Sequence, residues 1–570
     1  MVDVVIMTNR QDYAVSTIES LNNSVVSKRN LLGTIFVVST SKITSIKGAK
    51  TKMLPNFFST NAVLTIAGLV KDIAFCLVNA IDAPISFEKN AINRLLYSVV
   101  TKYNTAMAYA DYAKIDENGN RIICPNIPYQ NGSLRDDFDF GPIIMFKTNA
   151  LKSNLPFSDI KYKYAGWYAL RLKLGFQDDI NYSPEVLSTI LQPQKEDAEQ
   201  QQFAYLDPAN REFQQDMENA LTEFLQDNDM WVDEDEVDEI IIDGITDYPI
   251  EASVIIPVRN RVRTIADALD SALSQKTTFD YNIIVVDNHS TDGTTDIIRQ
   301  KAATDARIIH IIPESETLGI GGCWNEAIED TRCGKFSIQL DSDDVYSSDT
   351  VLQEIVDKFY EEECAMVIGS YTITDADLNP IAPGLIDHSE WTDENGRNNA
   401  LRINGLGAPR AFVTEAVKSC QFPNVSYGED YAVALRICGE FHVARIMHSL
   451  YYCRRWEGNS DAALSREKIN EHNYYKDFIR SMEIEYRANR LVELHRNNEE
   501  EDQDDFGFDD FGNIGNDEKI NAEEFMRTLK DISPREKLKV LEIFGRIDNL
   551  MKQVKQIQNK AINKNNNKLN

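Results

Sequence analysis

The sequence predicts an α/β fold in which a mainly parallel sheet occurs twice along the chain. An apolar run at 253–258 is followed by a helical pattern at 264–273 and a second apolar run at 282–287. Strand, helix and strand at this spacing form a βαβ unit, whose strands are parallel. A similar succession begins at residue 3. Because self-similarity on this scale indicates a duplicated domain, we expect two tandem domains.

A third apolar run in the second domain ends in carboxylates. Residues 336–340 predict a buried strand, and Asp341, Asp343 and Asp344 follow it directly. Open α/β sheets bind ligands outside the carboxyl ends of their strands. Oxygen ligands at this spacing suit a hard divalent cation and leave positions for phosphate oxygens. A solvated turn is the alternative for these carboxylates taken alone.

Five motifs follow one another between residues 251 and 460. They are Ser253 to Asn260, Val286 to Gly293, Leu318 to Ala327, Asp341 to Asp343, and Gly428 to Asp430. In this order they resemble the motifs of family 2 glycosyltransferases of the GT-A fold: the opening strand and nucleotide loop, the VDD-S-DGT turn, the G-x-x-x-A-R-N-x-G element, the DXD motif, and the acidic motif that ends with the catalytic base.

The resemblance implies a Rossmann-like fold and a metal-dependent, inverting transfer of a sugar from a nucleotide sugar to a hydroxyl of a glycan or other acceptor. We expect a UDP-linked donor and Mn²⁺ or Mg²⁺ as the metal. The implied metal ligands are Asp341, Asp343 and His448. His448 is included because family members often carry a metal-binding histidine in the region of 451–460, where this chain has none.

The resemblance also implies the residues that contact the nucleotide sugar. They are Pro257, Val258, Asn260, Asp287, Gly322, Asn325, Asp341, Arg454 and Arg455. Asp287 would accept a hydrogen bond from the base N3–H, which favours uracil. Arg454 and Arg455 would bind the diphosphate through forked donors. Surface arginines beside a packed Trp456 are the alternative.

Asp430 would be the general base, with Glu429 beside it. Adjacent carboxylates repel, which tends to raise the pKa of one of them toward useful basicity. The alternative is a pair of acids that complements a helix dipole, because a helical pattern begins at residue 431.

The first domain repeats the strands of the second without its acids. In the alignment of the two copies, Ser39 takes the place of Asp287, Asn79 that of Asp341, and Ile81 that of Asp343. We therefore expect a GT-A-like domain without metal chemistry. An unrelated α/β domain is the alternative.

The chain divides into six expected segments. They are a degenerate GT-A-like domain at 1–190, an acidic helical linker at 191–248, the catalytic domain at 249–462, a helical extension at 463–498, an acidic disordered segment at 499–517, and a C-terminal helix and tail at 518–570.

Composition narrows the possible partners and compartments. The net charge of −31 argues against nucleic acids and anionic membranes, which are themselves polyanions. The 8 cysteines show no paired spacing, so they are expected as free thiols. No transmembrane segment or leader is predicted, and a cytoplasmic enzyme is expected. The alternatives for function are a non-catalytic carbohydrate- or nucleotide-binding scaffold and a bifunctional polysaccharide polymerase.

Overall fold

The computed structural model describes residues 1–24, 31–102, 104–155, 162–192, 211–387, 392, 396–456 and 464–504. Residues 1–497 form one compact unit, built mainly from two nine-stranded sheets. In the described residues, no helix is both long enough and apolar enough to cross a membrane. All 8 cysteines are free thiols, as expected.

The first sheet occupies the N-terminal part of the chain. Its strands are β1 Val2–Met7, β2 Leu32–Ser39, β3 Lys50–Met53, β4 Ala74–Asn79, β5 Ile85–Phe87, β6 Thr105–Ile115, β7 Arg121–Cys124, β8 Ile143–Lys147 and β9 Asp179–Ile190. Its helices are α1 Gln11–Ser24, α2 Thr60–Leu69, α3 Ala91–Val100, α4 Thr148–Ser153 and α5 Gly166–Gln177. Helix α6, Arg211–Gln226, follows in the linker.

The second sheet lies C-terminal to the linker. Its strands are β10 Ala252–Val258, β11 Tyr281–Asp287, β12 Ile308–Ile311, β13 Phe336–Gln339, β14 Val345–Tyr346, β15 Met366–Thr374, β16 Pro380–Ile386, β17 Arg410–Val413 and β18 Val443–Arg454. Its helices are α7 Ile265–Leu273, α8 Thr294–Ala302, α9 Ile320–Glu329, α10 Val351–Glu362, α11 Gly396–Asn399, α12 Thr414–Cys420 and α13 Glu429–Glu440. The long helix α14, Arg466–Asp504, follows.

The two sheets have the same topology. The first runs β3-β2-β1-β4-β8-β6-β9-β5 with β7 beside β6, and the second runs β12-β11-β10-β13-β17-β15-β18-β14 with β16 beside β15. Each strand of one sheet therefore has a counterpart at the same place in the other. The predicted duplication into two tandem GT-A-like domains is confirmed.

Strand register aligns the two copies residue by residue. Val2 lies opposite Ala74 as Ala252 lies opposite Phe336, and counting along β4 and β13 brings Asn79 to the position of Asp341 and Ile81 to that of Asp343. On the other side of the central strand, Val5 pairs with Phe36 as Ile255 pairs with Ile284. The same count brings Ser39 to the position of Asp287.

Both sheets are mixed rather than mainly parallel. In the second sheet, β10 pairs in parallel with β11 and β13, whereas β13 and β15 both pair antiparallel with β17. A buried strand has the same apolar composition whichever way it runs, so the sequence pattern did not reveal the reversal. Strands β12, β11, β10 and β13 are parallel and form the parallel half of the second sheet. The ligand is expected at the carboxyl ends of these strands.

The elements of the parallel half form because their apolar residues fit the period of each element. The side chains of β11 are buried along the whole strand, as expected for a strand covered on both faces. Helix α7 buries Ile265, Ala268, Leu269 and Ala272 at the spacing of one helical face. Burial of each large aliphatic side chain contributes about 1.5–3 kcal/mol.

The last part of the linker packs against the second domain. Beyond α6, Met230, Val232 and Ile242 are buried, and the Asp238 N–H donates to the Glu440 carbonyl at 2.7 Å. Apolar residues among the acids of the segment 230–242 therefore pack this segment against the second domain. Helix α14 extends to Asp504, so 499–504 is helical rather than disordered. The segment 505–570, including the expected C-terminal helix and tail, falls outside the described residues.

Candidate functional site

The acidic turn after β13 is held in shape by neighbouring backbone and side chains. The Asp341 N–H donates to the Tyr451 hydroxyl at 2.8 Å, and the Asp344 N–H donates to the Asp341 carbonyl at 3.1 Å. Thr264, before α7, donates its hydroxyl to the Ser342 carbonyl at 2.9 Å. The turn is therefore fixed at the carboxyl edge of the sheet, as the strand pattern predicted.

Like charges are crowded together in this turn. Burial first, and then the charge of Asp343, raise the pKa of Asp341. Burial and the charges of Asp341 and Asp343 raise the pKa of Asp344 as well. Oxygen ligands of this kind suit Mn²⁺ or Mg²⁺. Within the described residues, no group of three or more acidic, histidine or cysteine side chains could hold a metal by itself. A nucleotide-bound cation fits such a partial set, because phosphate oxygens complete its coordination.

The loops after β10 and β11 are joined at the same edge. Asn260 has a positive φ of 55°, and its Oδ1 accepts from the Thr291 N–H at 2.8 Å. The Val258 carbonyl accepts from the Asn288 N–H at 2.8 Å, while Pro257 is half-buried at the strand end. Pro257, Val258 and Asn260 thus shape the loop that was expected to receive the nucleotide. Their contact with a ligand remains a prediction.

Asp287 is fully buried and both of its carboxylate oxygens accept hydrogen bonds within the fold, contrary to its expected contact with a base. Its Oδ1 accepts from the Ser290 N–H at 3.0 Å and its Oδ2 from the Thr295 hydroxyl at 2.5 Å. Burial acts to raise the pKa of Asp287, but hydrogen bonds from His310, Ser290 and Thr295 outweigh it and lower the pKa. Asp287 therefore holds the turn together rather than presenting an acceptor.

Its neighbour Asn288 has the open acceptor instead. The Asn288 Nδ2 donates to the Leu318 carbonyl at 2.8 Å, which fixes the direction of the amide. Asn288 Oδ1 is buried and accepts no hydrogen bond from any of the described residues. A buried acceptor without a partner costs about 1–3 kcal/mol, so a ligand donor there would be favourable. Asn288 lies within the motif Val286 to Gly293, but the sequence alone assigned it no role.

The glycine-rich helix α9 serves packing, which corrects the roles expected for Gly322 and Asn325. A Cβ on Gly322 would lie 2.4 Å from Asn424 Oδ1, and one on Gly321 would lie 2.0 Å from the Pro423 carbonyl oxygen. Asn325 donates to the Phe422 carbonyl at 2.8 Å and accepts from its N–H at 2.9 Å, so its amide is occupied by backbone. These contacts hold the segment that leads to the acid pair.

The acid pair opens α13 after Gly428, which has a positive φ of 80°. Glu429 is buried, and burial and the charge of Asp430 raise its pKa. Asp430 is part-exposed and pairs with Arg410 at 2.6 Å. Burial acts to raise the pKa of Asp430, but the charges of Arg410 and then Lys476 outweigh it and lower the pKa. The raised carboxyl is thus Glu429, and Asp430 is the ionised one.

A chain of polar contacts joins the acidic turn to the acid pair. The Gln339 side-chain Nε2 donates to both oxygens of Asp341, at 3.1 and 3.2 Å. Its side-chain Oε1 accepts from the Arg410 backbone N–H at 3.1 Å. The Arg410 side chain then reaches Asp430. Sequence reasoning missed Gln339 and Arg410, because each lies in a strand whose pattern indicates only burial.

Arg454 is buried and braces the acidic turn instead of facing a diphosphate. Its N–H donates to Asp344 Oδ1 at 2.8 Å, its Nε to the Asp343 carbonyl, and its Nη1 to Asp267 at 2.8 Å. The Arg455 N–H donates to the Thr374 carbonyl at 2.7 Å. Arg261 lies at the turn itself, where its Nε is 3.5 Å from Asp343 Oδ2.

His448 does not join the carboxylates, so its expected role as a metal ligand is corrected. Its side chain is 67% exposed, and its Nε2 lies 2.7 Å from Glu354 of α10. It also lies six positions before Arg454 on β18, roughly 20 Å at about 3.3 Å per residue. The sequence pattern shows that a histidine is near the motif but not how far the strand carries it.

Comparison with known proteins identifies the second domain. Residues 253–413 match the model of glycosyl transferase family 2. The chain carries a family 2 glycosyltransferase domain. The expectation of an enzyme of the glycosyltransferase class is thereby confirmed.

Two curated relatives are similar to parts of the chain. TuaG of Bacillus subtilis strain 168, by name a teichuronic acid biosynthesis glycosyltransferase, is 28% identical over 194 residues, 34% of this chain and 74% of TuaG. The poly(ribitol-phosphate) beta-glucosyltransferase of Bacillus spizizenii strain W23 is 34% identical over 102 residues, 18% of this chain but only 16% of that enzyme. Among solved structures, Staphylococcus aureus TarS 1–349 with UDP-GlcNAc matches at 21% identity and a TM-score of 0.33, covering 40% of this chain and 70% of that one.

Proposed function

We propose that the family 2 domain transfers a sugar from a UDP-linked donor to a hydroxyl of a glycan, with inversion at the sugar carbon. The observation that carries this proposal is the continuous contact chain from Asp341 through Gln339 and Arg410 to Asp430. It connects carboxylates suited to a cation–diphosphate with an ionised carboxylate suited to accept a proton. Both features serve group transfer, whereas a binding scaffold needs only the first.

Asp343 and Asp341 would hold a divalent cation. When bound, such an ion would offset the charge of the departing diphosphate. A cation would relieve the mutual repulsion of the acids in this turn, which gives the turn a reason to bind one. Arg261 lies at the same turn, and its guanidinium would donate hydrogen bonds to the diphosphate oxygens.

Asn288 would bind the nucleobase in place of Asp287. Its buried Oδ1 is an acceptor whose amide partner already fixes its direction. The N3–H of uracil is a donor of the right kind. Asp287 would act through Asn288 by holding the turn.

Asp430 would accept the proton of the acceptor hydroxyl. It is the ionised member of its pair, because Arg410 holds its pKa down. Glu429, with a raised pKa, would stay protonated near neutral pH and carry no competing charge. A single displacement with such a base leads to inversion.

Relatives suggest the acceptor class. The names of TuaG and of the poly(ribitol-phosphate) enzyme both refer to bacterial cell-wall polymers. We therefore propose a hydroxyl-rich polysaccharide or polyol-phosphate acceptor.

The proposal is tested by UDP and GDP release from UDP-GlcNAc, UDP-glucose, UDP-GalNAc and GDP-mannose by the full chain with Mn²⁺, with and without poly(ribitol phosphate). Release that exceeds that of Asp430→Asn, and that rises with the acceptor, is expected for a UDP sugar. An exposed acid, Asp296→Asn, serves as the matched control because its side chain is 85% exposed on α8. Binding of UDP without turnover of any donor would favour the scaffold instead.

A further inference from the structure

A buried lysine reaches the acid pair from outside the family 2 domain. Lys476 lies on α14, is 7% exposed, and donates from Nζ to the Asn404 carbonyl at 2.5 Å. Its ammonium lies 4.7 Å from the ring centre of Tyr427 and 5.2 Å from that of Tyr431. Those two tyrosines flank the acid pair in sequence. A separate helix therefore places the lysine head group beside the two rings that flank the acid pair in sequence.

Burial of this ammonium needs a compensating reason. Desolvation of a charged amine is costly, and one hydrogen bond with two ring contacts offsets only part of it. The remaining neighbour of opposite charge is the acid pair, and the Lys476 charge is one of the causes that lower the pKa of Asp430. Burial in turn lowers the pKa of Lys476 to about 8.

The next residue anchors the same helix turn to the first domain. Asp477 is fully buried, accepts from the Ser133 hydroxyl at 2.8 Å, and lies 3.3 Å from Arg135 Nε. On its own helix it pairs with Arg480 at 2.9 Å. Ser133 and Arg135 belong to the degenerate first domain, so that domain contacts the helix one residue from the lysine.

Arg480 completes the junction on the opposite side. Its Nε donates to the Tyr431 hydroxyl at 3.0 Å, and its Nη2 donates to the Ile403 carbonyl at 2.9 Å. The backbone packs as closely: a Cβ on Gly132 would lie 2.1 Å from the Ser481 nitrogen. This turn of α14 is thus clamped between the two domains.

We propose that α14 completes the active site, with Lys476 as a positioning residue for the acid pair, and with the first domain setting the place of that lysine through Asp477. The proposal rests on the proposed function. It assigns the degenerate domain a role in catalysis that needs none of its lost acids.

The charge around Lys476 comes from several packed elements. The groups that face it are Asp430 and Glu429 of α13, Arg410 of β17, Arg480 and His472 of α14, and the rings of Tyr427 and Tyr431. Arg410 and Arg480 carry the same sign as Lys476, so loss of the lysine removes only part of the positive field at Asp430.

The first experiment compares Lys476→Met with Lys476→Arg in the full chain. The pH profile of kcat/KM is measured by UDP release from the nucleotide sugar that the wild type turns over. Removing a positive charge raises the pKa of Asp430. The fall of kcat/KM at low pH (the acid limb of the profile) should therefore move to higher pH in Lys476→Met, and at pH values below that limb kcat/KM should be roughly 3–10-fold lower than in the wild type. Lys476→Arg should keep the wild-type limb. The exposed Lys468→Met of the same helix is the control.

Stability separates positioning from a structural role. A lysine with a lowered pKa costs stability below about pH 8, and this cost fades as pH rises through that value. The Tm of Lys476→Met should therefore match or exceed that of the wild type at pH 7, and the gap should narrow at higher pH. A clear fall in Tm, or an unmoved acid limb in an active enzyme, overturns the proposal.

A double-mutant cycle on Tm with Lys476→Met and Asp430→Asn tests the pairing without turnover. Coupling between the two changes is expected. Its absence overturns the inference whatever the activity. If the wild type turns over none of the nucleotide sugars while coupling persists, the proposed function fails and the catalytic role of the lysine fails with it.

The role of the first domain is tested at Gly132. Gly132→Ala pushes a methyl group against the α14 backbone and should lower kcat with an acid limb shifted like that of Lys476→Met. Gly68→Ala, in α2 of the same domain, meets nothing within 4 Å and should leave both unchanged. Ser133→Ala, a milder change at the Asp477 contact, should shift the limb in the same direction. Wild-type pH profiles for both Gly132→Ala and Ser133→Ala would show that the first domain does not determine the position of Lys476.

Discussion

At the scale of single residues, the carboxylates of the site differ through their partners rather than their type. Asp430 faces Arg410 and Lys476 and is ionised, whereas the adjacent Glu429 is buried against the charge of Asp430. The charge of Asp343 is among the causes that raise the pKa of Asp341, so these two acids are the proposed cation ligands. The same side chain can thus be a base, a protonated acid or a metal ligand according to the charge beside it.

Asp343 is expected to carry the metal dependence. Asp343→Ala should abolish the Mn²⁺-dependent part of UDP binding, measured by calorimetry with and without chelator. The Tm without metal should not fall, because one of the mutually repelling acids is removed. Asp296→Ala, an exposed acid on α8, should keep wild-type binding. Undiminished metal-dependent binding by Asp343→Ala would assign the cation to other residues.

Asp430 is expected to act in the chemical step. Asp430→Asn keeps the shape of the side chain but removes its capacity to accept a proton, so kcat should fall by roughly 10²–10⁴-fold with UDP affinity little changed. Steady-state kinetics and calorimetry on the same preparation test this. Wild-type kcat in the variant would reduce Asp430 to a helix-terminal acid.

Arg410 is expected to set the acid limb of activity. Its charge lowers the pKa of Asp430, so Arg410→Met should raise that pKa and move the fall of kcat/KM at low pH to higher pH. The Gln339 contact should survive, because it uses the backbone N–H of residue 410. Arg332→Met, at an exposed ion pair, is the control. An unmoved limb would mean that another group governs it.

At the scale of elements, sequence patterns predicted strands, helices and strand-end acids but not what joins them. The five motifs and the repeat were readable because strand-end acids and glycines interrupt apolar runs. The contacts of Arg410 and Lys476 were not, because a buried strand and a long helix have the same patterns whether or not one residue faces a site. The predictions for His448 and Asp287 were wrong for a related reason. Proximity along the chain does not determine the direction in which a side chain points.

The glycines of α9 show an element that acts on the site through packing. Gly321→Ala would place a methyl group 2.0 Å from the Pro423 carbonyl oxygen and displace the segment that leads to Glu429. We expect a loss of stability of about 1–3 kcal/mol and a larger loss of kcat than of UDP affinity. Thermal unfolding and kinetics measure the two effects. Gly244→Ala, whose Cβ would have only an ordinary contact at 3.7 Å, should be near neutral. Equal losses for both glycines would show that close packing at α9 is not the cause.

At the scale of the whole molecule, duplication has kept a fold and separated its uses. Both sheets have the same strand order, yet the first has no acid in register with Asp287, Asp341 or Asp343. In the first domain, Asn9 Oδ1 accepts from the Thr40 N–H at 2.8 Å, and in the second Asn260 Oδ1 accepts from the Thr291 N–H at 2.8 Å, so in both domains an asparagine joins the loops after the two neighbouring strands. A contact between these two loops is therefore present in both domains, whereas Asp341 and Asp343 have no acidic counterpart in the first.

One donor site per chain is the consequence for binding. With Ser39, Asn79 and Ile81 in register with Asp287, Asp341 and Asp343, the first domain offers no carboxylate pair for a cation. Calorimetric titration of the full chain with UDP and Mn²⁺ should give a stoichiometry near one, and Asp343→Ala should reduce it to near zero. The asparagine and isoleucine cannot replace the lost charge, since a hard cation favours anionic oxygen ligands. A stoichiometry near two, or saturable metal-dependent binding that persists in Asp343→Ala, would mean that the first domain has kept a donor site built from other residues.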